Sequence, residues 1–184
     1  MAPKRGAMTC GDSQIAAELS LQQQFCRDIE RINPRDFSPS EAFIELSRRL
    51  KQKYPITRGA LILKDKEHLS AVSTWNHGFG ADGLIINLPE NSSLFRQVVD
   101  DGRTYAESFI GGFSGNFFEQ KLLLDEDTQA FVLQPLKVDG KVIGLLGYSS
   151  EDPDAFALFE DGTLDEVADS LAAKIASHRR PVAQ

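Results

Sequence analysis

FVLQPLKVDGKVIGLLGY, residues 131–148, reads as two strands folded back on each other at Asp139-Gly140. Asp-Gly is the pair that accepts the positive φ angles of a tight hairpin turn, and apolar runs of strand length lie on both sides of it. Pro135 interrupts the first arm and cannot donate to a ladder, so it belongs at a bulge or where its strand lacks a partner on that side.

Upstream of this hairpin the apolar residues also alternate with a period near two. Ala60 to Leu63 and Leu69 to Trp75 flank the charged turn Lys64-Asp65-Lys66-Glu67-His68 and predict a second hairpin. Leu84-Ile85-Ile86 is a short third strand ended by Pro89. Asn91 or Ser92 then caps a helix carrying Leu94, Phe95 and Val98 that Gly102 closes. A fourth strand follows over Thr104 to Phe109. The stretch from Ile110 to Thr128 is irregular, with Gly111, Gly112 and Gly115 ahead of a helical stretch near Phe117 to Leu124, and is expected to move.

Helical periods bracket the strands. From Asp12, a candidate cap, Ile15, Leu19, Phe25, Ile29 and Ile32 mark a first helix to about Asn33. Ser38, Pro39 and Glu41 give the cap, first-position proline and returning glutamate of a second helix, which buries Phe43, Leu46 and Leu50 and stops before Pro55. Thr163 and Glu166 open a last helix with Leu164, Val167, Leu171 and Ile175 on one side. This order predicts an α+β domain with an antiparallel sheet and helices on one face. Residues 12–178 form that domain, with a disordered tail over 1–11 and a C-terminal tail over 179–184.

Composition limits the function. With 184 residues, 41% hydrophobic and 26% charged, the chain is globular and long enough for a sizeable core. A net charge of −7 repels phosphate backbones in spite of the cluster Arg48, Arg49, Lys51 and Lys53, which argues against direct nucleic-acid binding. The apolar runs are too short to cross a membrane, and no greasy segment follows Lys4 and Arg5, so a cytoplasmic location is expected. Cys10 and Cys26 lack the paired spacing of a zinc knuckle or a redox dithiol.

Taken together, these elements resemble the GAF family, a relative of the PAS sensory fold. Gly59-Ala60-Leu61-Ile62-Leu63 corresponds to the family's first strand, and residues 131–146 to its strand, proline, turn and strand signature. Asn91 to Gly102 with Arg103-Thr104-Tyr105 is similar to its helix, glycine and return strand, and Phe159 to Ile175 to its closing helix. The resemblance implies a central antiparallel sheet of about six strands, with the N- and C-terminal helices packed on one face and a loop-covered pocket on the other. It also implies a sensory or regulatory domain that binds a small molecule in signal transduction or transcriptional regulation. The alternative is a ligand-free dimerisation or protein-interaction module. Paired terminal helices, with Leu164, Val167, Leu171 and Ile175 as a seam, would make a homodimer, and an output domain would be the partner.

The chemistries of the family can be compared with these residues. Cyclic nucleotide binders carry Asn-Lys, then Phe, three residues and Asp-Glu; here six residues separate Phe118 from Asp125-Glu126 and no Asn-Lys pair exists. Bilin binders and methionine sulfoxide reductases use cysteines at the pocket, whereas Cys10 and Cys26 lie outside the matching core. No nucleophile, acid–base or metal motif is evident, so neither a catalytic nor a metal residue is expected, the domain is expected to do no chemistry, and no cofactor is indicated. Gly78 to Gly83 spells the dinucleotide fingerprint, but a strand rather than a helix follows, so the reading is a flexible loop. The candidate ligand residues are Trp75, His77, Phe79, Phe109, Phe113, Phe117 and Tyr148, aromatic walls with a few polar tips.

Overall fold

A computed structural model describes residues 22–81, 86–89, 94–108, 115–157 and 164–179. The expected caps at Asp12, Asn91 or Ser92, and Thr163 lie outside the described residues, as do Leu84 and Ile85 of the expected third strand. Helix α1 covers 22–31, and α2, Pro39–Lys51, begins as its sequence dictates. The Ser38 hydroxyl accepts the Glu41 amide at 3.3 Å, and Pro39 occupies the first turn, where its missing N–H costs nothing.

Strands β1 (Arg58–Asp65) and β2 (His68–Asn76) form the first hairpin, turning through Lys66 at φ 55°. β3 (Phe79–Ala81) and β4 (Ile86–Asn87) both pair with β2. Thus the glycine-rich stretch expected to be a flexible loop is in part a strand, because β2 reaches as far as Asn76 and offers Thr74 to Asn76 as partners for Ala81 to Phe79. Helix α3 (Leu94–Asp101) ends at Gly102, whose φ of 63° suits a residue without Cβ. Next come β5 (Tyr105–Ser108), α4 (Phe117–Leu123), β6 (Ala130–Val138), β7 (Lys141–Ser150) and α5 (Asp165–Arg179).

All strand pairs are antiparallel, in the order β3-β2-β1-β7-β6-β5 with β4 on β2. The β6–β7 hairpin turns at Asp139 (φ 52°) and Gly140 (φ 79°), as its sequence requires. Pro135 sits beyond Leu133, where pairing with β5 stops, and next to the register shift at Leu136/Lys137. Its missing donor therefore breaks no β5–β6 bond.

Side chains alternate between two cores, as the period of a strand demands. On one face Leu61, Leu63, Trp75, Leu136, Leu146 and Tyr148 meet α1, α2 and α5. On the other, Ala60, Ile62, Phe131, Leu133 and Leu145 meet α3 and Leu123 of α4. One cation on α5 fastens the end of α1: Lys174 Nζ donates to the carbonyls of Glu30 (3.1 Å) and Ile32 (2.8 Å), at the end of a helix where carbonyls lack partners.

Close approach of β1 to β7 depends on Gly144, where a Cβ would collide with the Ile62 carbonyl oxygen. Gly147 similarly leaves room for Leu123, which would come within 2.9 Å of a Cβ there. Gly144→Ala is predicted to lower the free energy of unfolding by about 1–3 kcal/mol, the usual cost of overpacking a filled core, as measured by urea titration.

Candidate functional site

The α3–α4 junction is built around one side chain. Asn116 caps α4 by accepting the Glu119 amide at 3.0 Å, and Glu119 Oε1 accepts the Asn116 amide at 2.8 Å, a complete capping box. The same carboxylate reaches α3: Oε1 also accepts the Leu94 amide at 3.2 Å and Oε2 the Phe95 amide at 2.7 Å. Glu119 is fully buried. A carboxylate inside the fold is tolerated because three amides satisfy it and because it meets the positive end of α3, where the first N–H groups have no partner within the helix. Beside it, Asn116 Nδ2 is buried and has no hydrogen-bond partner among the described residues.

The residues expected to hold a ligand are not gathered at one place. Trp75 and Tyr148 face the helix layer, on the sheet face opposite α3 and α4. Tyr148 stacks on Phe43 with ring centroids 5.9 Å apart, and its hydroxyl meets Ser47 Oγ at 2.9 Å. Burial pushes its phenol above the ordinary 10.0, and the Ser47 hydrogen bond offsets this only in part. Trp75 lies beneath Lys51, whose Nζ is 5.3 Å from the ring centroid. Phe79 is 81% exposed on β3, and Phe117, 64% exposed, opens α4. Phe109 and Phe113 are outside the described residues.

His77 stands at the end of β2 with φ 47°, a left-handed conformation uncommon for a side chain of its size. Its amide donates to the Thr57 carbonyl at 2.7 Å. Its imidazole Nε2 is 3.7 Å from Asp125 Oδ2, in the loop after α4. Asp125 Oδ1 is engaged in its own turn, accepting the Thr128 hydroxyl at 2.9 Å and the Asp127 amide at 3.0 Å. Partial burial alone would raise the Asp125 carboxyl. The two hydrogen bonds and the charges of Arg58 and His77 outweigh it and hold the group below its ordinary 3.8. Glu151, at the end of β7, completes a group whose ligating atoms all lie within 4.8 Å of one another.

No family model and no curated protein matches the sequence. Solved structures do match. The GAF domain of a phosphoenolpyruvate-protein phosphotransferase from Coxiella burnetii superposes with a TM-score of 0.68 at 19% identity, over 88% of this chain and 94% of that one. The GAF domain of a two-component sensor histidine kinase from Bacillus halodurans gives 0.60 at 21% identity, over 74% and 92%. Free methionine-R-sulfoxide reductase from Neisseria meningitidis, in complex with its substrate, gives 0.67 at 16% identity, over 97% of both chains. The chain therefore has the GAF fold, as its sequence resemblance implied.

The reductases overturn one expectation. Enzymes from Neisseria meningitidis, Staphylococcus aureus and Thermoplasma acidophilum share this architecture, so the want of a familiar motif does not exclude catalysis, and the expectation that the domain does no chemistry falls. Cys26 lies on α1 with Sγ 3.8 Å from the Glu166 carbonyl, on the helix side of the sheet.

The depressed Asp125 carboxyl fixes the sign of a pH effect. Its contribution is complete above the ordinary carboxylate value and is lost as pH falls through the lower folded value. Carbon-detected NMR titration is expected to show the Asp125 carboxyl protonating below 3.8, with the 125–128 turn loosening in the same acid range.

Proposed function

We propose that residues 12–178 form a regulatory sensory domain of a signalling protein, which binds a small anionic molecule where α3 meets α4. The carrying observation is the fully buried Glu119, which reaches from α4 to occupy the N-terminal amides of α3. Those amides suit a carboxylate or phosphate from any source. An incoming anion would take the amides from Glu119 and free α4, while Asn116 Nδ2 offers it a further donor. Glutamate in and ligand in are then two arrangements of one element, and a ligand that favours the second shifts their population. Phe117, on the exposed side of the same helix, would move with it.

A regulatory role is supported by the likeness to domains of a histidine kinase and a phosphotransferase, and it calls for an output-domain partner in the cytoplasm. No described helix is long and apolar enough to cross a membrane. Pairing of two chains is less favoured through the α5 stripe, because Leu164, Val167, Leu171 and Ile175 are each no more than 1% exposed, spent on the sheet and its flanking helices. A homodimer would have to use other residues of the terminal helices. Coverage of 97% of both chains in the match to a reductase supports a second reading, in which the bound molecule is turned over.

Native mass spectrometry of freshly purified protein, before and after denaturation, is expected to reveal an anionic molecule released on unfolding. Its affinity should be roughly tenfold higher in Glu119→Gln, where a charge-assisted hydrogen bond no longer competes. Binding that is indifferent to Glu119→Gln would refute the site. Loss of free methionine-R-sulfoxide in the presence of a thiol reductant would favour the second reading.

A further inference from the structure

We propose that His77, Asp125 and Glu151 form a site for a borderline divalent transition cation such as Zn2+. The three donors come from the end of β2, the loop after α4 and the end of β7, positions far apart in the sequence, yet their ligating atoms lie within 4.8 Å of one another. One imidazole nitrogen with two carboxylates is a donor set that Zn2+ accepts, whereas Mg2+ and Ca2+ favour oxygen alone. All three residues are exposed, which leaves room for water to fill the remaining coordination positions.

The segments that carry the donors are held before any ion arrives. Thr57 ties two of the segments together, accepting the His77 amide at 2.7 Å and donating its own amide to the Ser149 carbonyl at 2.9 Å, two residues before Glu151. In Asp125, Oδ1 is spent on Thr128 and Asp127, and Oδ2 is the oxygen that faces His77. Asp152, next to Glu151, turns its carboxylate back to the Asp154 amide at 2.9 Å and does not compete.

Charge points the same way. Two carboxylates this close repel one another unless a cation stands between them. The nearby Arg58 guanidinium donates to the carbonyls of Leu124 (2.8 Å) and Lys121 (3.2 Å), and its charge offsets part of that repulsion on the Asp125 side. A bound ion would fasten the loop after α4 to the end of the sheet. This site is independent of the anion reading, since none of its donors touches Glu119.

Isothermal titration of the full chain with Zn2+ near neutral pH, in a non-chelating buffer, tests it. One ion per chain is expected, with Mg2+ giving no comparable heat. His77→Asn keeps a residue that tolerates the left-handed backbone, and Glu151→Gln keeps the side-chain shape. Each should weaken Zn2+ more than about tenfold, since losing even an outer partner of a metal ligand costs that much. His68→Ala, an exposed histidine elsewhere, should change nothing. Unaltered Zn2+ affinity in both site variants, an equal loss in His68→Ala, or Mg2+ bound as well as Zn2+ would overturn the proposal. Circular dichroism of each variant distinguishes a lost site from a lost fold.

Discussion

The architecture rests on the antiparallel pairing of β1 with β7. Two hairpins, β1–β2 and β6–β7, are each made from neighbouring residues, and among the described strands only the register Arg58↔Ser149 to Leu63↔Gly144 joins them into one sheet. Side chains on both faces of this seam are buried, so a one-residue slip would exchange the two cores. Leu61 would leave α2 and α5, and Ile62 would leave α3. Glycine at 144 lets the strands come together, glycine at 147 lets α4 lie against them, and glycine at 59 leaves space for the Tyr148 ring, 2.8 Å from where its Cβ would be.

Local order was readable where its cause was local. Asp139-Gly140 gives a turn because of two backbone conformations, Ser38-Pro39 opens a helix because of one hydroxyl and one absent N–H, and Gly102 ends another by its left-handed φ. What could not be read was what each strand would find beside it. Phe79 to Ala81 has loop composition and becomes β3 because the end of β2 presents free backbone groups. Likewise, Ile86 of the short strand expected over Leu84-Ile85-Ile86 pairs, together with Asn87, onto β2.

The site was less legible than the fold. The sequence suggests an aromatic pocket wall, but alternation decides which face a strand residue takes: Trp75 and Tyr148 fall on the helix side, while Phe79 and Phe117 stay in solvent. Asn116 and Glu119 have the spacing of a capping box, so that half of their role was open to inspection. The other half, the grip on Leu94 and Phe95, joins residues 24 and 25 positions apart and exists only once both helices lie on the sheet. His77, Asp125 and Glu151 are similarly a product of topology, since nothing in the spacing of a scattered histidine and two acids brings them together.

The fastening of α1 by Lys174 has a consequence for how the protein is made. Residues 30 and 32 emerge from the ribosome more than a hundred positions before the lysine that receives their carbonyls, at separations of 144 and 142 residues. Until then the end of α1 must satisfy those groups with water. Translation, which delivers domains from the N-terminus onward, therefore cannot complete this one in instalments. The end of α1 stays provisional while the rest is synthesised, and Lys174, past the middle of α5, closes it.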